Sequence, residues 1–157
     1  MAGAAVVTAG CDLDPRTAQP AEPAPTSGGP TDPGEDADRL LLDDLRVLLL
    51  GVSGLVATAR DTYQDLRRPL APLAALHRAH LAVLDEAGGS DDPTGWPGQL
   101  PELRATEALA RVRVREERLR SRLADGSVRA GSGEFARLLA SMSAGIAAHL
   151  ADLPAGP

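Results

Sequence analysis

The sequence predicts an all-α fold: an antiparallel up-down bundle of four helices over residues 37–153, preceded by a disordered N-terminal tail. Three observations carry this reading. Four stretches repeat apolar residues at alternating spacings of three and four, the period of a helix buried on one face. Only three of the 157 residues are aromatic, Tyr63, Trp96 and Phe135, so the core must be built from Leu, Val and Ala, which suit close helix packing better than a β-sandwich. The connections are marked by Gly and Pro and are mostly short, which makes alternating up and down helices the simplest topology.

The first helix is expected after Asp36 and Asp38, whose charge favours a helix start. Its seam is Leu41, Leu45, Leu48, Val52, Leu55 and Ala59, flanked by Leu42, Leu49 and Val56. The uncharged run between Arg46 and Arg60 is 13 residues, short of the roughly 20 that cross a bilayer. Gly51 and Gly54 either admit a close neighbour or weaken the helix. Ser53, within Gly51-Val52-Ser53-Gly54, lies inside a helical pattern and not after a strand, so it is no nucleophile elbow.

The second helix opens near Pro69 and Pro72, in the first turn where proline is tolerated. It carries Leu73, Leu76, His77, His80, Leu81 and Leu84, and stops at Gly88-Gly89. Residues 88–101 form the one long internal loop, with Trp96 expected to fold back as a plug. The third helix starts near Glu102, with Leu109, Val112, Leu119 and Leu123 on its seam, and Gly126, Gly131 and Gly133 mark the connection after it unless the helix runs on to about Ala130. Seven arginines decorate it: Arg104, Arg111, Arg113, Arg115, Arg118, Arg120 and Arg122. They read as a solvated face with local ion pairs, or as a contact for anionic headgroups or an acidic partner. The fourth helix shows Phe135, Leu139, Met142, Ile146, His149 and Leu153 and ends at Pro154.

Charge is unevenly spread. Residues 1–38 hold seven acids against Arg16, while residues 39–157 hold 15 acids and 15 arginines. A neutral domain with no clustered basic face is not expected to bind nucleic acid. All 16 basic residues are arginine, which points to a GC-rich bacterial genome such as an actinobacterium's. The lone Cys11 excludes an intramolecular disulfide. Residues 12–36 hold six prolines among Gly, Ser, Thr, Ala and acids, a composition that cannot bury a core and reads as a disordered linker. Extended as polyproline helix, such a linker reaches at most roughly 75 Å.

Thr8-Ala9-Gly10-Cys11 resembles a bacterial lipobox. The resemblance implies lipidation of Cys11 and a truncated signal peptide over residues 1–11, although no basic residue precedes the cysteine and Thr8 stands where Leu is usual. It implies a lipoprotein outside the cytoplasm, held to the membrane by its lipid and standing off the surface on its linker, with an envelope protein as a candidate partner.

All three histidines fall on the predicted seams, His77 and His80 on the second helix and His149 on the fourth. The series 109, 112, 116, 119, 123 places Glu116 at a core position of the third. A buried carboxylate needs a partner or a proton, so these four residues form a hydrogen-bonded core cluster, or partly reach solvent, or are ligands for a divalent metal. His77 and Glu116 fall at similar heights, and His149 joins them only if the third helix runs on through Gly126. The arrangement resembles the ferritin-like bundles, in which inward carboxylates and Glu-x-x-His pairs hold two metals. Here His77-Arg78-Ala79-His80 has His in place of Glu, Ile146 precedes His149 by three, and the first seam has no carboxylate. The resemblance thus implies a degenerate ferritin-like scaffold without the di-metal set. The expected function is a non-enzymatic, membrane-tethered interaction domain. A metal-binding bundle is one alternative, and a cytoplasmic helical adaptor is another if the lipobox is accidental.

Overall fold

A computed structural model describes residues 33–88 and 104–154 of the chain. Every regular element among them is helical. In order these are α1 (Pro33–Thr62), α2 (Gln64–Arg67), α3 (Ala71–Glu86), α4 (Ala105–Arg129) and α5 (Gly133–Asp152). Cys11, nearly all of the linker and Trp96 lie outside the described residues.

Helix α1 begins with Pro33 and carries Glu35 and Asp36 in its first turn. Proline suits that position because a first-turn N–H has no helical partner. The helix therefore takes in the last residues of the segment read from sequence as linker. Its buried side is Leu42, Leu45, Leu49, Val52, Leu55, Val56 and Ala59. Leu41 and Leu48 are only partly buried, so the buried stripe is rotated slightly from the seam the spacing suggested. Gly51 has nothing within 4 Å of where a Cβ would stand, so it makes no close approach to a neighbour.

Sequence spacing gave four helices, and the described residues form five. The addition is α2, a single turn after Tyr63, whose extended backbone (φ −117°, ψ 108°) breaks the chain away from α1. One turn carries no apolar repeat, so periodicity cannot announce it. It is held from outside its own sequence: Leu66 is buried with Leu55, Val56, Ala59, Leu70, Leu73, Ala108, Leu109, Val112 and Leu153. Pro72 then sits in the first turn of α3.

Helix α4 starts with the Arg104 N–H donating to Glu107 Oε2 at 3.0 Å. It runs through Gly126, which is buried. A Cβ there would stand 3.1 Å from Leu139 Cδ1 and 3.3 Å from Leu45 Cδ1, so Gly126 is a place where α1 and α5 crowd α4. Helix α5 is capped by Ser132, whose hydroxyl accepts from the Phe135 N–H at 3.3 Å. The α4–α5 connection is also tied to α1: the Asp38 carboxylate accepts from the N–H of Gly131 at 2.8 Å and of Ser132 at 2.9 Å. At the other end of α5, the Arg113 guanidinium donates to the carbonyls of Leu153 and Pro154, a cation where a helix exposes unpaired carbonyls.

The apolar interior falls into two clusters. The first joins the end of α1 to α2, to Leu70 and Leu73 around the start of α3, to the start of α4 and to Leu153. The second joins Leu45, Leu49 and Val52 of α1 to Leu84 at the end of α3, Leu119 and Leu123 of α4, and Leu139, Met142 and Ile146 of α5. The strongest helix pairing is α4 with α5, followed by α1 with α4 and α1 with α3. An Arg46–Asp85 ion pair at 2.6 Å further links α1 to α3. No helix among the described residues is long and apolar enough to cross a membrane.

Candidate functional site

Between the two apolar clusters lies a polar layer. His77 follows Leu73 of the first cluster by one turn and precedes Leu84 of the second by two. Glu116 stands one turn from Val112 and one from Leu119, the corresponding members on α4. Both side chains are fully buried, and His77 Nε2 lies 3.2 Å from Glu116 Oε2. One proton joins these atoms, and whichever group holds it donates to the other. His77 Nδ1 and Glu116 Oε1 are buried without a hydrogen-bond partner. Such atoms lose their hydration with nothing in return, so the layer costs stability relative to an apolar filling.

The spacing 109, 112, 116, 119, 123 is thus the buried stripe of α4, and it carries Glu116 inward with its leucines. Ser143 on α5 is also buried and donates from Oγ to the Arg120 carbonyl at 3.0 Å. Sequence reasoning passed over Ser143. Its signal was its place one residue after Met142, on the edge of the predicted seam.

His80 lies one turn beyond His77 and is nearly buried. Burial pushes its imidazole down to about 4, with His77 and then His149 adding in the same direction. His80 Nδ1 has no hydrogen-bond partner. His149 differs from the expectation of a core residue. It is half-buried and lines a surface cleft of about 560 Å³ with Arg68, Pro72, Leu73, Asp152 and Pro154. Its place on the four-three repeat is real, but it falls where α5 nears its end and the covering helices give way to solvent.

Of the four candidates the structure pairs His77 with Glu116, sets His80 beside them and leaves His149 at the edge. Among the described residues no three His, Cys, Asp or Glu side chains gather closely enough to hold a metal ion. The layer is sealed: His77 and Glu116 are at 0% exposure, out of reach of a substrate.

A different feature is open. At one end of the helices a cleft of about 700 Å³ lies between the starts of α1 and α5 and the end of α3. Leu42, Val83, Phe135 and Leu138 supply apolar surface, and Glu35, Asp38, Glu86 and Glu134 surround it with Arg39 as the one base. Glu35 and Glu134 belong to first helical turns, where carboxylates complement the helix dipole. No protein-family model, no curated protein and no solved structure matches this chain.

Proposed function

We propose that the four long helices form a bundle in which α1 and α5 run one way and α3 and α4 the other, with α2 as a corner. We propose further that this bundle is a non-enzymatic interaction domain tethered to a membrane through Cys11. The membership of the two apolar clusters supports this order: the first holds the end of α1, the starts of α3 and α4 and the end of α5, and the second holds the opposite ends, so α3 and α4 run the same way and not in the alternation expected from the sequence. One observation carries the functional reading. The paired His77 and Glu116 are shut inside, while an apolar concavity with polar margins is presented at the α1–α3–α5 end. That division suits a domain that docks a partner in a cleft and uses its polar core only to choose one packing. The tether follows from the Thr8-Ala9-Gly10-Cys11 resemblance, which places the lipid on the chain's one cysteine.

The test is fractionation of a native-like host expressing the full gene. Wild type is expected in the membrane fraction with a diacylated Cys11 detectable by mass spectrometry, and Cys11→Ser in the soluble fraction. Soluble, unmodified wild type would remove the tether. For the cleft, a photo-crosslinking residue at Val83 should give a discrete protein adduct in envelope preparations, and one at exposed Arg78 should not. Equal patterns from the two positions would remove the docking role.

A further inference from the structure

We propose that the exposed basic flank of α4, on its side toward α1, is a docking face for an anionic lipid surface, a reading that deepens the membrane-tethered function proposed above. At 100° per residue, Arg111, Arg115, Arg118, Arg122 and Arg129 fall within an arc of about 60° and span about 27 Å along the axis. All five are exposed. The ion pairs among the described residues use other arginines: Arg46, Arg104 and Arg120. Arg113 is likewise engaged, with the end of α5. The arginines that neutralise local acids or cap a helix are therefore separate from the row, which meets two acids in its own register, Asp125 and Glu107, the latter engaged by Arg104. The helix is thus sorted into a buried stripe, an engaged flank and a flank on which five arginines outnumber the two acids in register with them.

Two further residues decide the kind of surface. Val114 is 52% exposed and Val128 is 86% exposed. On the helical wheel Val114 lies about 40° and Val128 about 80° beyond the edge of the row, on the solvent side of the helix. Arginines that grip phosphates, with apolar side chains entering the headgroup layer beside them, are what an anionic lipid surface selects. A guanidinium binds a phosphate through two parallel hydrogen bonds, and a planar array of phosphates meets the whole row at once. The chain's net charge of −6 does not cancel the row, because charges are screened beyond about 8 Å at physiological ionic strength.

The test uses the full chain with Cys11→Ser, so that no lipid anchor contributes, and measures co-sedimentation with vesicles. Binding is expected to phosphatidylglycerol-containing vesicles and not to pure phosphatidylcholine, and to weaken as salt rises. Each arginine is worth about fivefold in partition, so the triple variant Arg115→Gln, Arg118→Gln, Arg122→Gln should lose on the order of a hundredfold. The triple variant Arg67→Gln, Arg68→Gln, Arg78→Gln, whose arginines lie off α4, should bind as the parent does, and circular dichroism checks that both remain folded. Equal partition to both vesicle types, or equal loss in both triple variants, overturns the proposal. So does binding to polyglutamate without binding to vesicles, which would assign the row to an acidic polypeptide. Because the protein is unlipidated, failure here leaves the Cys11 tether standing, and failure of the tether leaves this face standing.

Discussion

At the scale of single residues, the His77–Glu116 contact is where the interior departs from an apolar filling. Removing one partner leaves the other buried and unpaired, so Glu116→Ala should destabilise by about 1–3 kcal/mol in chemical denaturation. Glu116→Gln keeps volume and hydrogen bonding and should cost less. Glu117, one residue on, is exposed and bridges to Arg120, a surface pair whose loss in Glu117→Ala should stay within about 1 kcal/mol. Replacing both core partners together, His77→Leu with Glu116→Met, should be less harmful than either single change, because two desolvated polar groups leave at once. An additive double mutant would show that the two side chains do not interact in solution.

His80 gives the same layer a pH dependence with a definite sign. Its native pKa is lowered to about 4 from an ordinary 6.5, by burial first and then by His77 and His149. Between those values the unfolded chain binds a proton that the native chain refuses, so stability rises with pH across the window. The charged or titratable groups acting on this position are His77 on its own helix and His149 from α5. Acidification from above pH 6.5 to about 4 should destabilise the fold through His80, by clearly less than the roughly 3 kcal/mol of a full shift because its partial exposure to solvent screens the effect. His80→Gln should flatten that part of the profile, and an unchanged slope would show that His80 titrates normally in the fold.

At the scale of elements, two glycines in helix interiors separate intrinsic propensity from packing. Gly51→Ala places a methyl in open space and should raise stability by about 1 kcal/mol. Gly126→Ala gains the same propensity but drives a methyl to 3.1 Å from Leu139 Cδ1, so its melting temperature should fall clearly below that of Gly51→Ala. Equal gains from the two would mean that α1 and α5 do not crowd α4 there. Asp38 is the element-scale staple, accepting two N–H groups from the α4–α5 connection. Asp38→Ala should cost about 1–3 kcal/mol, with faster hydrogen exchange at Gly131 and Ser132 as its local signature.

At the scale of the whole molecule, the proposed topology puts the start of α1 beside the end of α4. Spin labels at positions 39 and 129 should therefore lie close together, and labels at 39 and 111 should be farther apart by about the 27 Å length of the arginine row. The reverse order would rule out the topology in which α1 and α5 oppose α3 and α4. The long elements were legible in the sequence because an amphipathic helix writes its buried face into the spacing of its leucines, and Glu116 was legible because it stands in that series. The turn α2 was not, since Leu66 alone has no period and its position is held by contacts with α1 and α4. His149 was misplaced because periodicity reports the side of a helix and not how far its neighbours extend over it.

The sequence by itself thus determined the helical class, the four long helices and the inward side of α4, all of which follow from residues close together in the chain. Only the tertiary structure decided that His77 and not His149 meets Glu116, that Asp38 reaches across 93 residues to the α4–α5 connection, and that Gly126 lies in a crowded contact while Gly51 faces open space. Those outcomes depend on relative height and rotation between helices. These are set by how the side chains of several helices fill the shared interior, and one helix's own spacing carries no record of them.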